Sequence, residues 1–175
     1  MTKKLKIFQY PNKNLSIPCV EVDIKNKEKM EEIRKLVLLL DETMKFYDGI
    51  GIAAPQIGVH YAVMLVSDGI MEPIAMINPT IVYRSPNESN EIEGCLSFPG
   101  ITAHITRSTS VFVEYADIYG TIRGMDAQGL LSRCIQHELE HLSGKTFINK
   151  MSSIRRAMVE KKMRRKTIPS SLLEM

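Results

Sequence analysis

The stretch Cys134-Ile135-Gln136-His137-Glu138-Leu139-Glu140-His141-Leu142 constrains this chain more than any other. It contains His-Glu-x-x-His. Helix positions four apart share a face. In a helix, therefore, His137 and His141 can grip one metal ion, with Glu138 beside it to handle protons. The surrounding residues read as a helix from Ala127 to Leu142, with Asp126 as N-cap and Ser143-Gly144 as its stop. Two histidines do not complete a metal site, so another part of the chain must supply a third ligand.

Two residues are candidates. Cys95 sits in Glu93-Gly94-Cys95-Leu96-Ser97-Phe98-Pro99-Gly100, between a glycine and a turn-prone segment that suits a sharply positioned thiolate. Glu160 lies on a later helix, as the third ligand does in thermolysin-like sites, but basic residues flank it and an exposed ion pair is its other reading. Cys134 is three residues before His137 and shares its helical face. It is expected to line the pocket rather than bind metal.

At 175 residues the chain is expected to form one domain over 1–175, long enough for a real core. No apolar run is long enough to span a bilayer, and the basic N-terminus lacks the apolar stretch of a secretory signal. Cys19, Cys95 and Cys134 are odd in number and widely spaced. That argues against a disulfide framework and for a reducing, cytoplasmic setting. The net charge of +3 is uneven. Residues 151–166, read as a basic C-terminal helix, carry Arg155, Arg156, Lys161, Lys162, Arg164, Arg165 and Lys166 against Glu160. Such a helix can attract a polyanion or simply present a solvated face.

Apolar residues Met30, Ile33, Leu36, Val37, Leu40, Met44 and Tyr47 step by three and four, predicting a helix over 26–47 that ends at Asp48-Gly49. The segment Gly49-Ile50-Gly51-Ile52-Ala53-Ala54-Pro55-Gln56-Ile57-Gly58 follows. Its glycine spacing fits no dinucleotide fingerprint and no phosphate loop, and its apolar character suits a loop facing a ligand. Strands are expected at 5–8, 61–66, 74–78, 80–84, 101–106, 110–115 and 121–125, with a polar, turn-rich segment at 85–91. Strands come early and helices late, which predicts an α+β class with mixed or antiparallel sheets around the His-Glu-x-x-His helix, plus an N-terminal and a C-terminal helix.

Taken together, Gly49-x-Gly51-x-Ala53-Ala54-x-Gln56, Glu93-Gly94-Cys95-Leu96-Ser97 and Gln136-His137-Glu138-x-x-His141 resemble the three signature motifs of peptide deformylases, in that family's order. The similarity covers nearly the whole chain. Two small departures are Glu140, where the family usually has Asp, and Ile52, where Leu is common. The resemblance implies hydrolysis of the formyl group from the N-terminal formyl-methionine of new polypeptides. It selects Cys95 over Glu160, giving Cys95, His137 and His141 as metal ligands. It also implies Glu138 as general base and then acid, with the Gln56 amide and the Leu96 backbone N–H as oxyanion donors.

A methionine pocket is expected from Leu130 and Cys134, on the metal-facing stripe of the helix, and the resemblance implies Ile50 as the opposite wall. The backbone near Gly51 and after Pro99 is expected to pair with the peptide as an added strand. Arg133 reads equally as a pocket-rim residue or the partner of a carboxylate, and the resemblance implies Glu93 with Arg107 as a supporting ion pair. By resemblance the native ion is ferrous iron, Fe(2+), with zinc or nickel as substitutes. The basic helix is read as docking the enzyme on the ribosome, and neither a membrane nor DNA is expected as a partner. Two other readings compete: a zinc endopeptidase using Glu160, and a structural-zinc module that binds the ribosome or RNA.

Overall fold

The computed structural model describes residues 5–167. Helix α1 (Lys27–Phe46) starts at Asn26, whose side-chain oxygen accepts from the Lys29 N–H at 3.0 Å. This bond satisfies a backbone donor that the first turn leaves unpaired. The helix buries Met30, Ile33, Leu36, Leu40 and Met44, the stripe anticipated from their spacing. It ends one residue earlier than Asp48-Gly49 suggests, because Asp48 itself takes the left-handed conformation (φ 55°). Aspartate tolerates that region better than most residues.

Among the described residues, seven strands form two antiparallel sheets. Strands β1 (Gly51–Ala53), β2 (Val63–Val66), β3 (Ile74–Arg84), β6 (Ser110–Ala116) and β7 (Ile122–Gln128) make one sheet, in the order β1-β2-β3-β6-β7. Strands β4 (Glu88–Gly94) and β5 (Thr102–Ser108) form a separate ribbon. In β2 and β3, Val63, Leu65 and Ile77 join α1 in one core, while Met64, Val66 and Met76 face a second core with Ile135 of α2 (Gly129–Leu142). The alternation is the two-residue period of a strand, and it places the sheet between α1 and α2. Helix α2 also touches the β4–β5 ribbon through β5. A third cluster joins Phe98, Ile101 and Ile105 to Phe147, Ile148 and Met163, the last on α3 (Ser153–Thr167). Among the described residues, no helix is long and apolar enough to cross a membrane.

Four local expectations differ from the structure. The segment 5–8 forms no strand; the Phe8 N–H reaches the Gln56 carbonyl (2.7 Å) and the Tyr10 N–H the Ser97 carbonyl (3.0 Å), so residues 8–10 fasten the short 3-10 helix at Gln56 to the turn at Ser97. Strand β3 runs unbroken through Asn78-Pro79, with a register shift between Ile77 and Thr80 that absorbs the proline. Asn78 there has φ 52°, and its side chain bonds both the N–H and the carbonyl of Val22. The polar segment 85–91 contributes most of β4, whose only buried side chain is Glu93, so it shows none of the apolar alternation that marks a strand. Finally, α2 begins at Gly129 rather than Ala127. Ala127 and Gln128 stay paired with Val111 and Ser110, and Gly129 (φ 55°) turns the chain into the helix.

Candidate active site

Helix α2 brings His137 and His141 together, with ring centroids 5.3 Å apart. Cys95 directly follows β4, and its Sγ lies 3.2 Å from His141 Nε2. One donor atom from each of Cys95, His137 and His141 falls within 4.8 Å of the others, the single group of this kind among the described residues. Glu160 is not part of it; its carboxylate accepts from Arg156 Nε at 2.9 Å on α3. The alternative third ligand is thus held in the exposed ion pair that its basic neighbours suggested.

The charges around the triad are ordered. His137 Nδ1 meets Glu93 Oε2 at 3.0 Å, which leaves Nε2 for the Cys95 side. Burial disfavours the imidazolium of both rings. At His137, hydrogen bonds to Cys95 and Glu93 override burial and raise its pKa well above the usual value. At His141 burial prevails and its pKa falls well below. Burial alone would also raise the Glu93 pKa, but His137 and Arg107 reverse this and hold it at about 2. Arg107 spans Glu93 and Glu140, contacting the latter at 2.9 and 3.0 Å, so the longer acid at position 140 still makes a bidentate pair. The expected Glu93–Arg107 pair is therefore present and buried.

Arg133 lines the cavity that opens onto this cluster and also serves a carboxylate: its side chain is 7% exposed and binds Glu93 Oε1 at 2.6 Å, so both of its readings are met. Glu138 is buried, and burial pushes its carboxyl up to about 7. Its Oε2 has no hydrogen-bond partner, nor has His141 Nδ1. A lone buried carboxylate oxygen is costly unless something else occupies the space before it.

A cavity of about 650 Å³ opens onto this cluster. Ile50, Gly51, Gln56, Leu96, Leu130 and Cys134 all line it, together with Cys95, His137 and Glu138. Leu130 and Ile50 are partly exposed at its walls, and the buried Cys134 thiol donates to the Ile50 carbonyl at 3.3 Å. The orientation of Gln56 is fixed by its bonds. Its Oε1 accepts from the Ala53 N–H (2.8 Å), which turns Nε2 toward Ser97 Oγ (3.1 Å) and Cys95 Sγ (3.9 Å). Leu96 is second in a turn closed by the Phe98 N–H on the Cys95 carbonyl (2.9 Å). That turn bond does not consume the Leu96 N–H.

Two residues of the site went unread in the sequence. Ile92 lines the cavity from β4, and Ser97 orients the Gln56 amide. The first was hidden by a strand that lacks apolar alternation. The second lies inside a quoted motif, but nothing local links Ser97 to Gln56.

A buried carboxylate beside two histidines and a thiol, at the base of an open cavity, is the arrangement of a metal-dependent hydrolase. The family model described as polypeptide deformylase matches residues 4–157. The peptide deformylase of Xylella fastidiosa strain M12 is 39% identical over 161 residues, covering 91% of this chain and 94% of the relative. That of Neisseria gonorrhoeae is 39% identical over 167 residues, covering 93% and 95%. The crystal structure of the Ehrlichia chaffeensis peptide deformylase in complex with actinonin aligns with a TM-score of 0.88 at 35% identity, over 95% of this chain and 99% of that one. This chain belongs to the polypeptide deformylase family. It is a hydrolase that removes the N-formyl group from the formyl-methionine of new polypeptides.

Proposed function

We propose that Cys95, His137 and His141 hold one divalent ion and that Glu138, Gln56 and Leu96 perform deformylation beside it. The single observation that carries this reading is the convergence of three donor atoms within 4.8 Å, next to a buried carboxylate with an unpartnered oxygen. The anionic surroundings that favour a proton on His137 equally favour a cation there. Three protein ligands would leave a fourth position free, as in catalytic rather than structural sites. That count also disfavours the structural-zinc module. A bound ion would supply Lewis acidity that makes water nucleophilic near neutral pH.

The chain's own groups account for the rest. Glu138 accepts a proton from the attacking water at its free carboxylate oxygen. The water oxygen bonds to the formyl carbon, and the carbonyl oxygen gains charge. Gln56 Nε2 and the Leu96 N–H donate to that oxygen; one such donor is typically worth about 3–4 kcal/mol. Glu138 then passes the proton to the peptide nitrogen as the C–N bond breaks, releasing formate and a free amine. Ile50, Leu130 and Cys134 receive the methionine side chain. The backbone at Gly51 and after Pro99 pairs with the peptide as an added strand, so side chains beyond methionine contribute little to recognition.

Ferrous iron is our reading of the native ion, with zinc or nickel able to replace it, since a thiolate and two imidazoles suit all three. The test is a formyl-Met-Ala peptide assay on anaerobically purified protein with its metal quantified and Glu138→Ala as control. Full activity in Glu138→Ala overturns the assignment of the base. Activity that survives peroxide unchanged overturns iron.

We also read the chain as one cytoplasmic domain that docks on the ribosome through α3. Arg155, Lys161, Lys162 and Arg165 are exposed on that helix. Met163, however, is buried against Phe98 and Phe147, and Phe147 lies 5.8 Å from the His137 ring, centroid to centroid. Removing the helix would therefore disturb the site. Charge reversal at Lys161, Lys162 and Arg165 is the cleaner test: peptide hydrolysis is retained and salt-sensitive ribosome binding falls. Unchanged binding refutes the docking.

A further inference from the structure

We propose that Arg133 is a positioning residue that sets the spacing of the metal ligands by clamping the β4–β5 ribbon onto α2. This rests on Cys95, His137 and His141 being the ligand set. Two of those residues sit on α2, while Cys95 leaves the end of β4. The ribbon strands pair only with each other, so no backbone ladder fixes them to the main sheet. The distance from Cys95 to the histidines therefore depends on side chains that cross from ribbon to helix.

Arg133 makes that crossing one turn before His137. Its Nη1 donates to Glu93 Oε1 (2.6 Å) and to the Ile105 carbonyl (2.8 Å). Its Nη2 donates to the carbonyl (3.0 Å) and hydroxyl (2.9 Å) of Ser89, and Nε faces Glu91 Oε2 at 3.5 Å. Ser89, Glu91 and Glu93 are alternate residues of β4, so they project from one face. Ile105 stands opposite Glu91 on β5. One guanidinium thus grips both strands of the ribbon.

Two considerations separate this role from others. A guanidinium has five N–H donors; four here donate to protein acceptors and the fifth lies 3.5 Å from Glu91, so the group is committed chiefly to the ribbon. Arg107 also links ribbon to helix, but it does so at Glu140. Glu93 also meets His137, and Ser132 and Gln136 bond the Ser108 carbonyl at the end of β5, so what Arg133 adds is the grip on β4 at Ser89 and Glu91. The planar fork is essential to gripping several acceptors at once, and a lysine cannot reproduce it.

The test compares Arg133→Met, Arg133→Lys and Arg84→Met with the unaltered protein, all loaded with cobalt(II). Arg84 reaches Gln136 of α2 at 3.0 Å from β3, and Gln136 bonds the ribbon at Ser108, the last residue of β5. Loss of Arg84 thus removes an arginine tie to the same helix while leaving every contact to β4 in place. The readouts are the sulfur-to-cobalt absorption band, the rate of cobalt loss to a chelator, Tm, and kcat and KM on a formyl-Met-Ala peptide. Arg133→Met is expected to shed cobalt at least ~10-fold faster, with an altered sulfur band and a fall in kcat larger than the change in KM. Arg133→Lys should lie between it and the parent, and it alone decides the matter if the methionine variant does not fold. Arg84→Met should leave band and release rate unchanged. Parental release and band in the Arg133 variants overturn the proposal. Equal changes in Arg84→Met at equal loss of Tm also overturn it, by showing generic destabilisation. A missing sulfur band in the unaltered protein refutes the ligand set itself, and the proposal falls with it.

Discussion

Gly51 lies directly against Glu138: a Cβ at residue 51 would come within 2.5 Å of Glu138 Oε1 and 2.6 Å of Cys134 Sγ. The glycine is therefore a spatial requirement of the carboxylate, beyond any need for a free backbone. Gly51→Ala must push the Glu138 side chain away from the position we assign to the attacking water. General acid–base groups contribute roughly 10²–10⁴-fold to rate. We expect Gly51→Ala to lower kcat by on the order of 10²-fold while the protein keeps its metal, as checked by steady-state kinetics with metal analysis. A variant with full kcat would show that Glu138 does not need its present place.

Gln56 offers a second, separable test. Its Oε1 is tied to the Ala53 N–H and its Nε2 is steered by Ser97, so the donor is held before substrate arrives. Gln56→Ala is expected to reduce kcat by about 10²–10³-fold, the usual effect of losing one oxyanion donor. Gln56→Glu keeps the size but replaces the donor with an acceptor, and it should be at least as slow. Ser97→Ala leaves the amide in place with less guidance and should fall between the parent and Gln56→Ala. Equal rates in all three variants would remove Gln56 from the oxyanion site.

Helix periodicity carried the readable part of this site. His137, Glu138, His141 and Cys134 follow from one helix, because spacing along a helix is spacing in space. Residues contributed by the ribbon were harder to read. Cys95 could be proposed as a ligand from its turn-prone setting, but not chosen over Glu160 without the family motifs. Strand β4 is nearly all polar on both faces, and its pairing with β5 is a long-range contact with no local apolar signal. For the same reason Arg133 stayed ambiguous: its acceptors at Ser89, Glu91 and Glu93 lie on that unread strand. The start of α2 was misplaced because cross-strand pairing held Ala127 and Gln128 in β7 against their local helical preference.

Cys19 provides a pH-dependent prediction away from the site. Its thiol packs partly buried against the second core, and burial pushes its pKa up to about 11. An unfolded cysteine titrates near 8.5, so the folded chain binds the proton more tightly. The resulting stability is fully present below the unfolded pKa and is lost as pH rises toward about 11. Thermal melts should therefore decline across this alkaline window, and less steeply in Cys19→Ala. Alkylation of Cys19 in the folded protein at pH 8 should also be much slower than in urea, which peptide mapping would reveal.

Met163 tests whether α3 supports the active site as well as carrying charge. It is buried in the cluster of Phe98, Ile105 and Phe147, and Phe147 in turn packs on His137. Met163→Ala removes buried side-chain volume on a helix with little other apolar anchorage, and large-to-small core changes of this type cost about 2–5 kcal/mol. We expect a lower Tm and a looser third cluster, with faster metal loss because Phe147 no longer supports the His137 ring. Met158→Ala, at an exposed position on the same helix, should change neither. If Met163→Ala lowers Tm and leaves the metal-loss rate unchanged, the coupling from α3 through Phe147 to His137 is absent, and the helix serves the fold alone.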